Sequence, residues 1–186
     1  MALQTGSAHT RLAVLRGNSG SGKSSVARAL RLAVGYNMAW VEQDYLRRIL
    51  LREHDVPGGL NIALIEQTAR FALDHSYHVV LEGILYSGHY DEMLSRLGQA
   101  HRGQTAFYYF DLTWEETVRR HATRPQAQEF SPSDMQGWYR PRDLLPGGLE
   151  QIVPPESTLE QTVSRLLQHL DLPAGVTPGP PPSAPR

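Results

Sequence analysis

The chain has 186 residues, with 18 Lys and Arg against 19 Asp and Glu and a net charge of −1. That length suits one domain of about 100–200 residues, which buries roughly 70% of its unfolded surface without staples. The absence of cysteine excludes disulfides, thiol nucleophiles and Cys-ligated metal, and the near-neutral charge argues against a dedicated nucleic-acid binder. No apolar run approaches the ~18 residues of a membrane span, and Met1–Thr10 lacks the apolar core of a signal peptide. A soluble, cytoplasmic protein is expected. Of the basic residues only Lys23 is lysine. A site that needs a compact point charge does not accept the planar fork of arginine, so Lys23 draws attention first.

In chain order, residues 1–10 read as a flexible N-terminus. Leu12–Leu15 is a predicted strand ending at Gly17, and Ser24–Val34 the helix after it. Met38–Val41 is a second strand, closed by Glu42, Gln43 and Asp44. Tyr45–Leu51 and Ile62–Asp74 carry apolar residues at helical spacing. Val79–Leu81 is a third strand, and Asp91–Leu97 is helical. Ala106–Phe110 is a fourth strand, and Thr113 with Glu116 forms a predicted capping box for the next helix. The segment 124–148 fits neither pattern. Its prolines, its Gly147-Gly148 pair and Arg124, Arg140 and Arg142 read as an irregular, functional lid. Ile152-Val153 is a fifth strand, and Ser157 with Glu160 caps a last helix to about Leu170. Residues 173–186 form a Pro-rich tail with almost nothing to bury, expected to be disordered. The domain proper is therefore expected over 11–172. Strands alternating with helices predict a parallel sheet covered on both faces.

One motif carries most of the chemistry. Gly17-Asn18-Ser19-Gly20-Ser21-Gly22-Lys23-Ser24 matches G-x-x-x-x-G-K-[ST], after a predicted strand and before a predicted helix. The glycines let backbone N–H groups turn inward around phosphate oxygens, and the helix N-terminus adds its positive dipole end. In that reading Lys23 reaches the β/γ-phosphates, Ser24 ligates Mg²⁺ and Ser25 bonds the α-phosphate. The nucleotide is expected to be ATP, because the second lysine of a guanine-reading Asn-Lys-x-Asp is missing.

Asp44 follows the second strand, and open parallel sheets bind ligands beyond the carboxyl ends of their strands. A carboxylate there can accept the proton of a hydroxyl attacking the γ-phosphate; as a helix N-cap for Tyr45–Leu51 it would serve only structure. Arg47, one turn on, is placed to hold an acidic group of the acceptor. Arg48 and Arg52 read as a solvated stripe. Glu82 ends the third strand, where it can reach Mg²⁺ through water, bond an acceptor hydroxyl, or form a structural salt bridge. Arg119, Arg120 and Arg124 lead into the lid as charge stabilisers or as a surface cluster. Adjacent helical residues sit about 100° apart, so spacing does not decide which of Arg119 and Arg120 points inward. His75 and His78 straddle a helix-to-strand turn, and no His spacing suits zinc. Trp138-Tyr139-Arg140 could stack on a base, but reads rather as an aromatic pair packing the lid down.

These residues resemble the small P-loop kinases of the adenylate-kinase-like class. The nearest pattern is that of polynucleotide 5′-kinases, chloramphenicol phosphotransferases and zeta-toxin sugar-nucleotide kinases. Gln43-Asp44-Tyr45-Leu46-Arg47 resembles the polynucleotide-kinase segment with its base and following arginine. The resemblance spans about 11–170. It implies a three-layer P-loop NTPase sandwich with a five-stranded parallel sheet of order 2-3-1-4-5. It also implies Asp44 as general base and Arg120 or Arg124 on the phosphates. The expected reaction is transfer of the γ-phosphate to a hydroxyl of an antibiotic, nucleoside or sugar-nucleotide. The protein would be a monomer or homodimer with no membrane partner. A nucleic-acid 5′-end ranks below small acceptors because of the net charge. The rival is a nucleotide-switched ATPase or binding module, with Gln43 as its water-positioning candidate.

Overall fold

The computed structural model describes residues 3–122 and 131–172. Its order is β1 (Arg11–Gly17), α1 (Lys23–Val34), β2 (Met38–Glu42), a π-helical turn (Tyr45–Leu50), α2 (Leu60–Asp74), β3 (His78–Gly83) and α3 (Ser87–Ala100). There follow β4 (Gln104–Phe110), α4 (Trp114–His121), α5 (Pro132–Trp138), a 3-10 turn (Pro146–Gly148), β5 (Glu150–Val153) and α6 (Leu159–His169). The five strands form one parallel sheet of order β2-β3-β1-β4-β5, as expected.

Two apolar layers hold it. Leu12 and Val14 of β1 face one cluster with Ile65 and Leu73 of α2 and Leu94 and Leu97 of α3. Ala13 and Leu15 face the other, with Val26 and Leu30 of α1 and Leu166 of α6. Alternate residues of a strand point to opposite faces, so the stretch of a strand buried on both sides is apolar. In β1 that stretch is Leu12–Leu15.

Four expectations are corrected. Residues 5–10 are not a loose N-terminus, because Thr5 bridges to His101 and its hydroxyl donates to Asp74 at 2.7 Å. The stretch expected to be irregular contains α5, capped by Ser131 and Asp134 in a reciprocal box with Pro132 at the first helical position. Thr113 accepts from the Glu116 amide, but the Glu116 carboxylate turns to Arg119 and Arg120 instead of closing the box. The last helix is capped one residue later than expected, by Thr158 with Gln161. Arg124 and the tail 173–186 lie outside the described residues. Of the expected aromatic pair, Tyr139 packs edge-on against Trp114 at 5.3 Å, and its hydroxyl donates to Leu112 O. Among the described residues, no helix is long and apolar enough to cross a membrane.

Candidate active site

The phosphate loop joins β1 to α1 at the centre of the sheet. Gly17 has φ +141°, and a Cβ there would stand 2.7 Å from Phe110 O. Gly22, at the helix N-cap, is left-handed with φ 99°. Both positions demand glycine. Lys23 Nζ is buried and donates to Asn18 O at 2.9 Å and Ser21 Oγ at 3.3 Å. The Asn18 side chain is matched to the backbone of Arg140: Nδ2 donates to its carbonyl at 2.7 Å, and Oδ1 accepts from its amide at 2.9 Å. The segment following α5 is thereby tied to the loop.

Two cavities open from this loop. The larger, of about 480 Å³, is lined by Ser19, Gly20, Gly22, Lys23 and Ser24 on one side. Its other side is made of Trp40, Glu42, Asp44, Arg48 and Glu82. The smaller, of about 110 Å³, is reached by Ser21, Gly22, Ser25 and Arg120, and is walled by Val26, Phe110, Leu112 and Val153. Sequence reading did not foresee this apolar cleft, because its walls come from four separate elements.

Asp44 lies in the larger cavity with its side chain half exposed. Its backbone is helical (φ −64°, ψ −37°) and its side chain makes no cap hydrogen bond, so the N-cap alternative fails. The carboxylate accepts instead from Arg47 Nη2 at 3.0 Å, and Arg48 Nη1 stands 3.8 Å away. Arg48 is a correction: with Arg52 it was assigned to a solvated stripe, yet it lines the cavity. The physical reason is spacing: Arg47 and Arg48 lie three and four residues after Asp44, and helical neighbours at those separations share a face. The turn is π-helical, closed by Leu51 N on Leu46 O at 3.1 Å. Arg47 Nη1 also donates to Glu53 O at 3.2 Å, and its Nε is buried without a partner.

Glu82 is 2% exposed, and its Oε1 has no hydrogen-bond partner among the described residues. Burial pushes this carboxyl above the usual carboxylate range; the Lys23 cation pulls the other way and Asp44 adds to the rise. Glu42 stands opposite it in register on β2. Burial raises Glu42 too, reinforced by Glu82 and then Asp44. Sequence reading named Glu42 only as the end of a strand; its register with Glu82 was the missing signal.

Of the adjacent arginines, Arg120 faces the phosphate loop. It donates to Ser21 O at 3.3 Å, Pro155 O at 2.8 Å and Glu116 Oε1 at 2.5 Å. Arg119, with a side chain 71% exposed, is held only by Glu116 at the surface. Gln43 serves as an internal clamp. It accepts from Leu85 N at 3.0 Å and donates to Tyr90 Oη at 2.8 Å and Asp55 Oδ2 at 3.2 Å. A Cβ at Gly83 would overlap its amide.

A buried arginine escaped sequence reading altogether. Arg16, fully buried near the end of β1, donates to Leu85 O at 2.8 Å, Glu150 at 2.7 Å and Asp143 at 2.9 Å. Asp143 in turn accepts from the Ser87 amide at 2.8 Å and hydroxyl at 2.5 Å. One cation thus fastens the rim of the crevice, from α3 to β5, beside the phosphate loop.

No family model matches the chain, and no curated protein does. Solved structures do match its fold. A sugar kinase from Janibacter sp. superposes with a TM-score of 0.66 at 17% identity, over 88% of this chain and 95% of that one. The APS kinase of Mycobacterium tuberculosis, in complex with AMPPNP and APS, gives 0.66 at 16% identity over 90% and 99%. A gluconokinase from Sinorhizobium meliloti gives 0.59 at 20% identity over 89% and 93%. The fold is that of the P-loop kinases.

Proposed function

We propose that this protein is an ATP-dependent phosphotransferase that moves the γ-phosphate to a hydroxyl of a small molecule of the antibiotic, nucleoside or sugar class. The observation that carries the reading is the placement of Asp44 in the same cavity as Lys23 and Ser24. A cavity of this size accommodates a triphosphate end and a small acceptor together.

The loop N–H groups and Lys23 take the β- and γ-phosphates, and the apolar cleft beside Ser25 suits a flat base. Asp44 accepts the proton of the acceptor hydroxyl as its oxygen attacks phosphorus and the β–γ bridging bond breaks, releasing ADP. Arg47, spent on the Asp44 carboxylate, keeps the base aimed. Arg120 supplies positive charge at the loop edge. The residues also suit Mg²⁺. Glu82, which has a buried carboxylate oxygen without a donor, and Ser24 line the same cavity. Ser24 would ligate the ion directly and Glu82 its water shell; the ion's charge would offset that of the phosphates. The ATPase-module alternative loses its candidate, since both ends of the Gln43 amide are occupied within the fold.

An acceptor screen with ATP and Mg²⁺ tests the reading, scored by a mass gain of one phosphoryl group. At least one hydroxyl compound gains it. ATP hydrolysis at an unchanged rate in every mixture, with no phosphorylated product, would overturn it.

A further inference from the structure

The acceptor end of the large cavity holds a carboxylate that the phosphate chemistry does not use. Trp40 and Glu42, two apart on β2, point to the same face of the sheet and both line the cavity. β3 lies between β2 and β1. Glu42 therefore stands one strand spacing, about 4.8 Å, farther from the phosphate loop than Glu82. That distance places it on the acceptor side, with Asp44.

Asp44 is held by Arg47 and Arg48. Glu42 has no hydrogen bond or ion pair among the described residues; its charged neighbours of note are Glu82 and Asp44. Beside it, Glu82, which lines the same cavity, keeps a fully buried oxygen with no hydrogen-bond partner among the described residues. Such a grouping asks for a cation. Among the described residues no three acidic or His side chains are grouped tightly enough to hold a metal ion. The walls next to Glu42 are aromatic. The buried Trp40 Nε1 faces the Glu82 carboxylate, which leaves the indole ring as cavity wall, and Tyr45 is 55% exposed at the rim. A carboxylate beside aromatic faces is a setting that favours an ammonium group over a metal. A bound triphosphate adds further negative charge, which raises the preference for a cationic acceptor and penalises an anionic one.

We propose that the acceptor is an amine-bearing polyol, an amino-sugar or aminocyclitol, whose ammonium is held by Glu42. Trp40 and Tyr45 flank its ring, and Asp44 faces the hydroxyl that is phosphorylated. This inference rests on the kinase reading above.

The experiment is a phosphoryl-transfer panel with ATP and Mg²⁺. It compares glucosamine and 2-deoxystreptamine with N-acetylglucosamine, glucose and gluconate, in the parent and in Glu42→Gln. The substitution is isosteric and removes a like-charge contact, so folding is not at risk. The parent prefers the free amines by at least tenfold in kcat/KM. Glu42→Gln raises KM for the amines at least tenfold while the KM for ATP and the Mg²⁺ requirement stay unchanged. Equal or better transfer to glucose or gluconate overturns the inference and leaves the kinase reading standing. So does a Glu42→Gln enzyme that loses Mg²⁺ affinity instead of amine affinity. No transfer to any compound of the panel, with no amine binding by calorimetry beside a non-hydrolysable ATP analogue, overturns the inference, and the kinase reading is then decided by the wider acceptor screen.

Discussion

The two sides of the large cavity are built on different principles. The phosphate side is backbone: consecutive residues from Gly17 to Ser24 supply the turn, the N–H groups and one lysine. The acceptor side is assembled from side chains at the ends of β2 and β3 and from the π-helical turn. A backbone cradle recognises any polyphosphate of the right shape, because every residue carries an N–H. A side-chain wall recognises what its own charges select. The generic half of the reaction is therefore local in sequence and the specific half is spread across the fold.

The comparison breaks or holds on a matched pair of substitutions. Asp44→Asn removes the base on the acceptor side and leaves the phosphate loop, on another strand, untouched. Phosphoryl transfer is expected to fall by about 10²–10⁴, the usual worth of a positioned proton acceptor. Nucleotide affinity persists, because the loss belongs to kcat. Lys23→Arg acts on the other side. A planar fork does not fit the buried position where Nζ meets Asn18 O and Ser21 Oγ. Transfer is expected to fall by about 10²–10³, as when a charge stabiliser is lost, and nucleotide affinity falls with it. Single-turnover kinetics and calorimetry on both proteins check the split. Intact nucleotide binding in Lys23→Arg, or lost binding in Asp44→Asn, removes the distinction between the two sides.

That same division explains what could be read from the chain. The parallel sheet, the loop and its lysine were legible because each rests on local pattern: apolar runs, a glycine spacing, a strand–helix junction; the strand order came only with the resemblance to P-loop kinases. α5 was obscured by its prolines, although Ser131-Pro132 with Asp134 is a helix start in its own right. Arg16 was illegible. Its carboxylate partners, Asp143 and Glu150, lie 127 and 134 positions away in sequence. Arg48 was misread because it was paired forward with Arg52 instead of back with Asp44, four residues before it on the same helix face. Glu42 needed the β2–β3 register, which a single sequence does not display.

Glu82 sits where the two sides meet and sharpens the comparison in stability. Its carboxyl is raised in the folded protein, first by burial. An acid raised on folding binds its proton more tightly when folded, so stability is lost as pH rises from the ordinary carboxylate range through the folded value. Each tenfold change in the acid constant corresponds to about 1.4 kcal/mol. Glu82→Gln is therefore expected to raise the neutral-pH Tm of the nucleotide-free protein and to flatten its decline with pH. The gain comes with weaker Mg²⁺-dependent nucleotide binding. Thermal melts across pH check it, and an unchanged Tm at neutral pH would show that Lys23 already compensates the buried charge in full.

The smallest effect is expected at Arg119, and it tests whether position on α4 separates function from surface. Arg119 and Arg120 share the Glu116 carboxylate, so sequence and charge treat them alike. Geometry does not: Arg120 reaches Ser21 O of the phosphate loop, whereas Arg119 is largely in solvent. Exposed ion pairs contribute about 0–1 kcal/mol, and charge-assisted hydrogen bonds at a shielded site about 1.5–3. Arg119→Ala should leave turnover within about twofold, as for a surface pair. Arg120→Ala should lower it by roughly tenfold or more, the equivalent of about 1.4 kcal/mol. Steady-state kinetics on the two variants suffice. A loss at Arg119 equal to that at Arg120 would mean that α4 acts through Glu116 as a unit, and that the loop contact of Arg120 is incidental.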